Sequence, residues 1–317
     1  MKTALIGNTG FVGANLRQQF SFDDEYNSKN ILDIKGKEYD LVICSAIPSS
    51  MWMANNFAQK DLENIKNLLA ILKNVSIKKF VLISSICVFK PPVQNINEDS
   101  NDFEDEQAYG KNRRYAEKEI TNIFDDCLII RLPALFGDHL KKNFIYDLLN
   151  QEPAFIANEK YQEILNCLDS QGQKTINNYY VFDGDKKIWS FDKEKAILDK
   201  SRNEVLQLLK KANFTALNFT NSKSNFQFYD LSDLHKDINI ALKNNIEILH
   251  LCSAKIQALE IAKLFFNIDF DHDNGQKPFD YDLQTKHAKL WNKDSNYQYC
   301  KDDMVQKFEK FFTKNSS

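Results

Sequence analysis

The chain has 317 residues, 43% of them apolar and 27% charged, with a formal net charge of −3. That length suits one large unit, or a large domain carrying a smaller one, and the composition excludes whole-chain disorder and coiled coil. The charge offers no general attraction to polyanions, so nucleic acid is not an expected partner.

No window approaches about 18 consecutive apolar residues, so no membrane span or membrane partner is expected. The opening Met1-Lys2-Thr3-Ala4-Leu5-Ile6-Gly7 is too short an apolar run for a signal peptide. The expectation is a soluble cytoplasmic protein. Cys44, Cys87, Cys127, Cys167, Cys252 and Cys300 are scattered with no Cys-x-x-Cys pair, and several sit inside apolar runs. They read as reduced, largely buried thiols. The five histidines show no ligand spacing, so no metal is expected.

In chain order, the first half alternates short apolar runs with amphipathic stretches, the pattern of a doubly wound α/β fold with a parallel sheet. Strands are expected at Thr3–Ile6, Tyr39–Ser45, Phe80–Ser84 and Cys127–Leu132. Helices are expected at Gly10–Phe20, at Asp61–Lys73 with Leu62, Ile65, Leu68, Leu69 and Leu72 on one face, and at Tyr109–Ile123. Residues 143–214 give helix-like pieces around a possible strand at Tyr179–Phe182. Regularity returns with strands at Phe226–Leu231 and Ile246–Leu251 around a helix at Ser232–Asn244. Ser253 is read as the cap of a closing helix whose Ile256, Leu259, Ala262 and Phe266 share a face. The expected division is a dinucleotide-binding Rossmann domain over 1–140 and about 215–252. A smaller substrate-binding region would take about 141–214 and 253–317.

The strand Thr3–Ile6 runs directly into Gly7-Asn8-Thr9-Gly10-Phe11-Val12-Gly13 before a helix. Glycines at this spacing let the backbone turn, approach a pyrophosphate closely and pack helix on strand. The amides and dipole of the helix N-terminus then hold the anion. The chain has only nine glycines, which makes three within seven residues a specific signal. Where the common fingerprint carries a ribose-binding acid, about 20 residues past the first glycine, the chain reads Glu25-Tyr26-Asn27-Ser28-Lys29-Asn30. Ser28, Lys29 and Asn30 would suit a 2′-phosphate. That favours NADP over NAD.

These features resemble the extended short-chain dehydrogenase/reductase family, the NAD-dependent epimerase/dehydratase-like enzymes that act largely on nucleotide sugars. Gly7 to Gly13 is similar to its glycine motif, and Asp33-Ile34 to the pair after the third strand that binds adenine. Ser45-Ala46-Ile47 resembles the segment after the fourth strand that lines the nicotinamide, and Arg131-Leu132-Pro133 through Gly137 the strand and loop that pass it. Phe80 to Phe89 resembles the strand ending in a catalytic serine, here Ser85. Tyr109-Gly110-Lys111-Asn112-Arg113 lies where the family has Tyr-Gly-x-Ser-Lys, with Glu117 following. Phe228 to Leu234 and Leu249 to Ser253 resemble its late Val-x-Asp-Asp-Leu segment and closing strand.

The resemblance implies hydride transfer at a nicotinamide, with Tyr109 as acid or base and Ser85 orienting the substrate oxygen. A free phenol titrates near about 10, so a fixed cation beside it matters. Here that cation is Arg113 rather than lysine, which keeps the charge but changes the geometry. Family dehydratases carry an Asp-Glu pair after the catalytic residue. Ile86 and Cys87 stand there, which disfavours a dehydratase and leaves reductase or epimerase. Ser49, Cys87, Lys141, Lys142 and Asn143 are the expected contacts of a nucleotide-sugar substrate, the lysines meeting its diphosphate. The leading expectation is an NADP-linked keto-sugar reductase of cell-surface polysaccharide synthesis. An epimerase with retained NAD, or a non-catalytic NADP-binding sensor of the same fold, is the alternative. A homodimer is expected by analogy.

Overall fold

The computed structural model describes residues 1–315. Contacts divide the chain into two units, one of residues 1–140, 225–256 and 280–311, the other of 141–224, 257–279 and the C-terminal residues from 312.

The first unit is built on a six-stranded parallel sheet. Its strands are β1 (Thr3–Ile6), β2 (Asp24–Tyr26), β3 (Glu38–Cys44), β4 (Ser76–Ser85), β5 (Cys127–Leu132) and a last strand Ile248–His250. From one edge the order is Ile248–His250, β5, β4, β3, β1, β2. The central strands read as continuous apolar runs because both faces of a parallel sheet are covered. Ala4, Leu5, Val42, Ile43, Phe80, Val81 and Ile130 are all fully buried. Helices α1 (Phe11–Gln19), α2 (Met51–Asn56), α3 (Ala58–Leu72) and α4 (Ala108–Ile123) connect them. From β1 the chain goes to β2 on one side and then to β3 on the other. That reversal opens a crevice at the carboxyl ends of β1 and β3, where such sheets take ligands.

Residues 280–311, expected with the substrate-binding region, pack instead in this unit, while 215–224 fall in the other. The cause is a set of buried polar contacts. Gln227 exchanges hydrogen bonds with the backbone of Leu283 at 2.7 and 2.8 Å. Buried Asp237 accepts from Tyr229 and Tyr299, each at 2.7 Å, and from Trp291 at 2.8 Å. Ser253 does not cap the closing helix: its hydroxyl donates to the Ala254 carbonyl, and the helix spans Ala258–Phe266, with Ile256 in a short strand before it.

The second unit has a three-stranded antiparallel sheet in the order Phe155–Ala157, Ile188–Phe191, Tyr180–Asp183. Helices Asn158–Asn166, Ser170–Tyr179, Lys193–Leu198 and Arg202–Lys211 surround a core of Tyr161, Ile164, Ile176, Tyr180, Val205 and Leu209. Trp189 stacks on Tyr161 with ring centroids 3.9 Å apart.

Across β4, β5 and the last strand, Ser84, Arg131 and His250 stand in register, so their side chains share one face. Glu117 of α4 binds this row. It accepts from Ser84 at 2.6 Å, from Arg131 at 2.9 and 2.7 Å, and from Arg114 at 2.8 Å. His250 lies 3.2 Å from Arg131 through Nε2, and its Nδ1 lies 3.0 Å from the Gln284 carbonyl. Burial and the neighbouring Arg131 push the imidazole down to about 4, against the pull of Glu98.

As pH falls below about 6.5 the unfolded chain takes up this proton first, so His250 costs stability progressively between about 6.5 and about 4. Asp147, pushed up to about 7 by burial, acts with the opposite sign over the same range. The informative readout is therefore a difference. Denaturation midpoints of wild type and His250→Asn measured from pH 7 to 4 are expected to shift in the variant's favour toward acid. A pH-independent gap would contradict the neutral, buried imidazole.

Candidate active site

At the crevice, Gly7 has φ +93° and a Cβ there would stand 2.8 Å from the backbone of Ser45. A Cβ on Gly13 would meet the Gly7 carbonyl oxygen at 2.1 Å. Both positions therefore require glycine. Helix α1 begins from Gly10, which has no side chain to cap it, so the first-turn amides are left for a ligand. Thr9 and Gly10 are exposed and Phe11 and Val12 half-buried at this end. The amides of Gly7 and Asn8 bond the Tyr26 carbonyl at 2.7 and 3.3 Å, which ties the loop to β2.

On the other side, Ser45, Ala46 and Ile47 follow β3 half-buried, and the Ser45 amide donates to the Ile6 carbonyl at 2.8 Å. Ser49 beyond them is exposed. Pro133, half-buried, follows β5 at the same end of the sheet.

Strand β4 ends at Ser85, whose hydroxyl accepts from the Cys87 amide at 3.2 Å and caps the turn Ile86–Val88. Gly110 of α4 packs on that turn so closely that a Cβ would lie 2.0 Å from the Cys87 carbonyl oxygen. This contact sets Tyr109 beside the turn. The Tyr109 amide donates to Asn55 of α2 at 2.9 Å. Burial raises the phenol above its ordinary range and Cys87 adds to that, against the charge of Arg113 and hydrogen bonding from Ser85 and Arg113. The Cys87 thiol is likewise pushed up by burial, against the pull of Ser85 and Arg113.

Arg113 is 2% exposed and its guanidinium carbon stands 3.9 Å from the centre of the Tyr109 ring. It forms a two-pronged ion pair with Asp61 of α3, at 2.6 and 3.2 Å, and also donates to the carbonyls of Tyr109 and Pro48. The fold thus brings together Gly7–Gly13, Ser45–Ile47, Ser85, Cys87, Tyr109, Arg113 and Pro133 at the carboxyl edge of one sheet.

Residues 27–165, under half of the chain, match the profile of the NAD dependent epimerase/dehydratase family. No curated protein matches the chain in sequence. Among solved structures, it resembles a dTDP-4-dehydrorhamnose reductase from Bacillus anthracis in complex with NADP, at a TM-score of 0.62, 13% identity and 99% coverage of each chain. It also resembles a UDP-glucose 4-epimerase with UDP-glucose from Thermotoga maritima, at 0.62, 10% identity and full coverage of both chains. A third is RMD from Pseudomonas aeruginosa complexed with NADPH, at 0.58, 15% identity and 92% coverage of each. At such identities the likeness is one of fold, a Rossmann-type α/β fold with a parallel sheet.

Two expected placements differ from the sequence reading. Asp33 and Ile34 lie between β2 and β3, on a 3-10 turn over Ile31–Ile34, and not after a third strand. Ser45 likewise follows the third strand and not a fourth. Asp33 is exposed, while the Ile34 side chain is fully buried in the core. Ser28 and Lys29 are exposed on a turn tied by Asn27 and Asn30. Glu25 reaches the glycine loop, accepting from Asn8 at 2.8 Å and pairing with Arg17 at 2.6 Å, and Asn27 donates to Asn8 at 3.3 Å. Lys141, Lys142 and Asn143 belong to the second unit. The lysines are exposed, and Asn143 caps the helix Phe144–Leu149, accepting from Ile145 and Tyr146 at 3.0 and 3.2 Å.

Asp61 was read only as the start of a helix and Glu25 only as part of the run at the ribose position, though each left a signal of its role. Asp61 continues the buried-face spacing of Ile65, Leu69 and Leu72, where a carboxylate needs a partner. Glu25 stands within the span where the dinucleotide fingerprint carries its acid. Among the described residues, no group of three or more His, Cys, Asp and Glu could hold a metal, and no helix is long and apolar enough to cross a membrane.

Proposed function

We propose that the protein is an NAD(P)-dependent reductase of a keto nucleotide sugar, with Tyr109 giving the proton. The observation that carries this reading is the state of the phenol. It is half-buried, held above its ordinary range, and the guanidinium beside it is already paired with a carboxylate. Such a group keeps its proton at neutral pH and is suited to acid chemistry.

Two features support a dinucleotide in the crevice: a glycine loop so tightly packed that a Cβ on Gly7 or Gly13 would strike neighbouring backbone, and an uncapped helix start. Thr9 to Gly13 would hold the pyrophosphate, with Ser45 to Ile47 and Pro133 toward the nicotinamide. Lys29 and Glu25 bias the ribose 2′ position in opposite directions, so both NAD and NADP fit this reading. When bound, the nicotinamide supplies the hydride. Ser85 hydrogen-bonds the carbonyl oxygen and orients it, and the Tyr109 hydroxyl donates its proton there as the new C–H bond forms. The phenolate left behind is reprotonated from solvent.

The reading is supported by the fold shared with a dTDP-4-dehydrorhamnose reductase in complex with NADP. Incubation with NADPH or NADH and a dTDP-4-keto sugar tests it. One reduced nicotinamide is expected to be consumed per ketone lost. Firmly retained NAD together with interconversion of UDP-hexose epimers would replace it with the epimerase. Nucleotide binding without turnover on any keto nucleotide sugar would replace it with the sensor.

A further inference from the structure

A carboxylate on the buried face of a helix costs several kcal/mol unless its charge is met. Asp61 is 7% exposed, in line with Ile65, Leu69 and Leu72 on α3, and its oxygens are fully engaged. Oδ2 accepts from Arg113 at 2.6 Å and from Asn112 at 2.8 Å, and Oδ1 accepts from Arg113 at 3.2 Å. On the other side of the pair, the Arg113 fork is spent as well. Nη1 donates to Asp61 and the Tyr109 carbonyl, Nη2 to Asp61 and the Pro48 carbonyl, and buried Nε has no hydrogen-bond partner among the described residues. The guanidinium is therefore held over the Tyr109 ring, its carbon 3.9 Å from the ring centre, with α3, α4 and the loop after β3 tied to it.

We propose that Asp61 is a positioning residue, which clamps the Arg113 guanidinium against Tyr109 and cancels enough of its charge to leave the phenol protonated as an acid. The consequence for the reaction rests on the reading of Tyr109 as proton donor. The groups that face the phenol are Arg113 on its own helix and Ser85 and Cys87 at the end of β4. Behind these, Glu104 faces Cys87 and Asp61 pairs with Arg113. An unpaired cation within about 4–6 Å lowers such a group by about 1–3 pH units. Paired with a carboxylate, the same cation presents the phenol with little more than a dipole.

The test uses the full chain with 13C-labelled tyrosine Cζ, read by NMR without cofactor or substrate, the Tyr109 signal being assigned as the one lost in Tyr109→Phe. In Asp61→Asn the Tyr109 signal is expected to titrate about 1–3 pH units below wild type. Asp61→Glu is expected to keep the wild-type behaviour, and Asp61→Asn with Arg113→Gln to abolish the drop. If Asp61→Asn does not fold because the guanidinium is left buried and unpaired, Asp61→Ser admits water to solvate it and carries the same expectation. An unchanged Tyr109 titration in the folded single variant, or the same drop in the double variant, would overturn the proposal. A drop seen by NMR without a matching move in the alkaline limb of turnover would retain Asp61's role and reject Tyr109 as proton donor.

Discussion

Tyr109→Phe is expected to lower turnover of a keto nucleotide sugar by about 10²–10⁴-fold, the usual worth of a positioned proton donor. Dinucleotide affinity is expected to stay within a few-fold. The two effects separate because the substitution removes one oxygen and leaves the ring that packs 3.9 Å from the Arg113 guanidinium carbon. The Tyr109 backbone amide also keeps its bond to Asn55. The glycine cradle belongs to β1 and α1 and does not involve Tyr109. Steady-state turnover with titration of NADPH binding checks both halves. Retained turnover would remove the acid role, and a collapse of binding would make Tyr109 a structural element of the site.

The largest effect on stability is expected at Glu117. It is fully buried and is the carboxylate paired with Arg131, itself 1% exposed, and with Arg114. Burial alone pushes its carboxyl up, but Arg131, Ser84 and Arg114 together outweigh that and hold it below the ordinary range. Glu117→Gln keeps the shape and removes the charge, leaving the Arg131 guanidinium buried beside an amide. Breaking a buried pair from one side costs about 3–5 kcal/mol. Chemical denaturation of wild type and variant is expected to show a loss of that order, and a loss below about 1 kcal/mol would mean that Arg131 finds another partner. The same network holds α4 on the sheet, so Glu117 supports the placement of Tyr109 without touching the reacting atoms.

The sequence was readable where one face of an element is uniformly apolar. β1 and β5 follow from their apolar runs, and α4 from its span, because both faces of the sheet are covered and nothing else competes for those residues. β2 was not readable: Asp24-Glu25-Tyr26 is an edge strand whose charges serve specific contacts, Glu25 to the glycine loop and Asp24 to the Tyr39 hydroxyl at 2.5 Å. The strand numbers given to Asp33-Ile34 and Ser45 came from the resemblance, whose pattern has one more strand before each of them than this chain forms. Helix α2 was missed for the opposite reason, since Met51, Trp52 and Met53 give it apolar residues that stay exposed.

In the second unit, helices of six to ten residues around three short strands leave no long periodic stretch to read. Within the candidate site, the glycines, Ser85 and Tyr109 were legible because their spacing is local. Arg113 was legible only as a substitution. What it does depends on Asp61, 52 residues earlier in the chain, and a contact at that separation exists only once α3 and α4 pack together. Residues 280–311 gave no sign of joining the sheet unit, because their attachment runs through single buried polar groups such as Gln227 and Asp237 and not through an apolar pattern.

The central claim is net reduction of a carbonyl on a nucleotide-linked sugar, and one labelling measurement addresses it directly. The protein is mixed with a dTDP-4-keto sugar and nicotinamide dinucleotide carrying deuterium at the transferable position of the reduced ring, and the sugar product is examined by mass spectrometry and NMR. One deuterium per product molecule is expected, on the former carbonyl carbon. An unreduced sugar, or a product without the label, would contradict it.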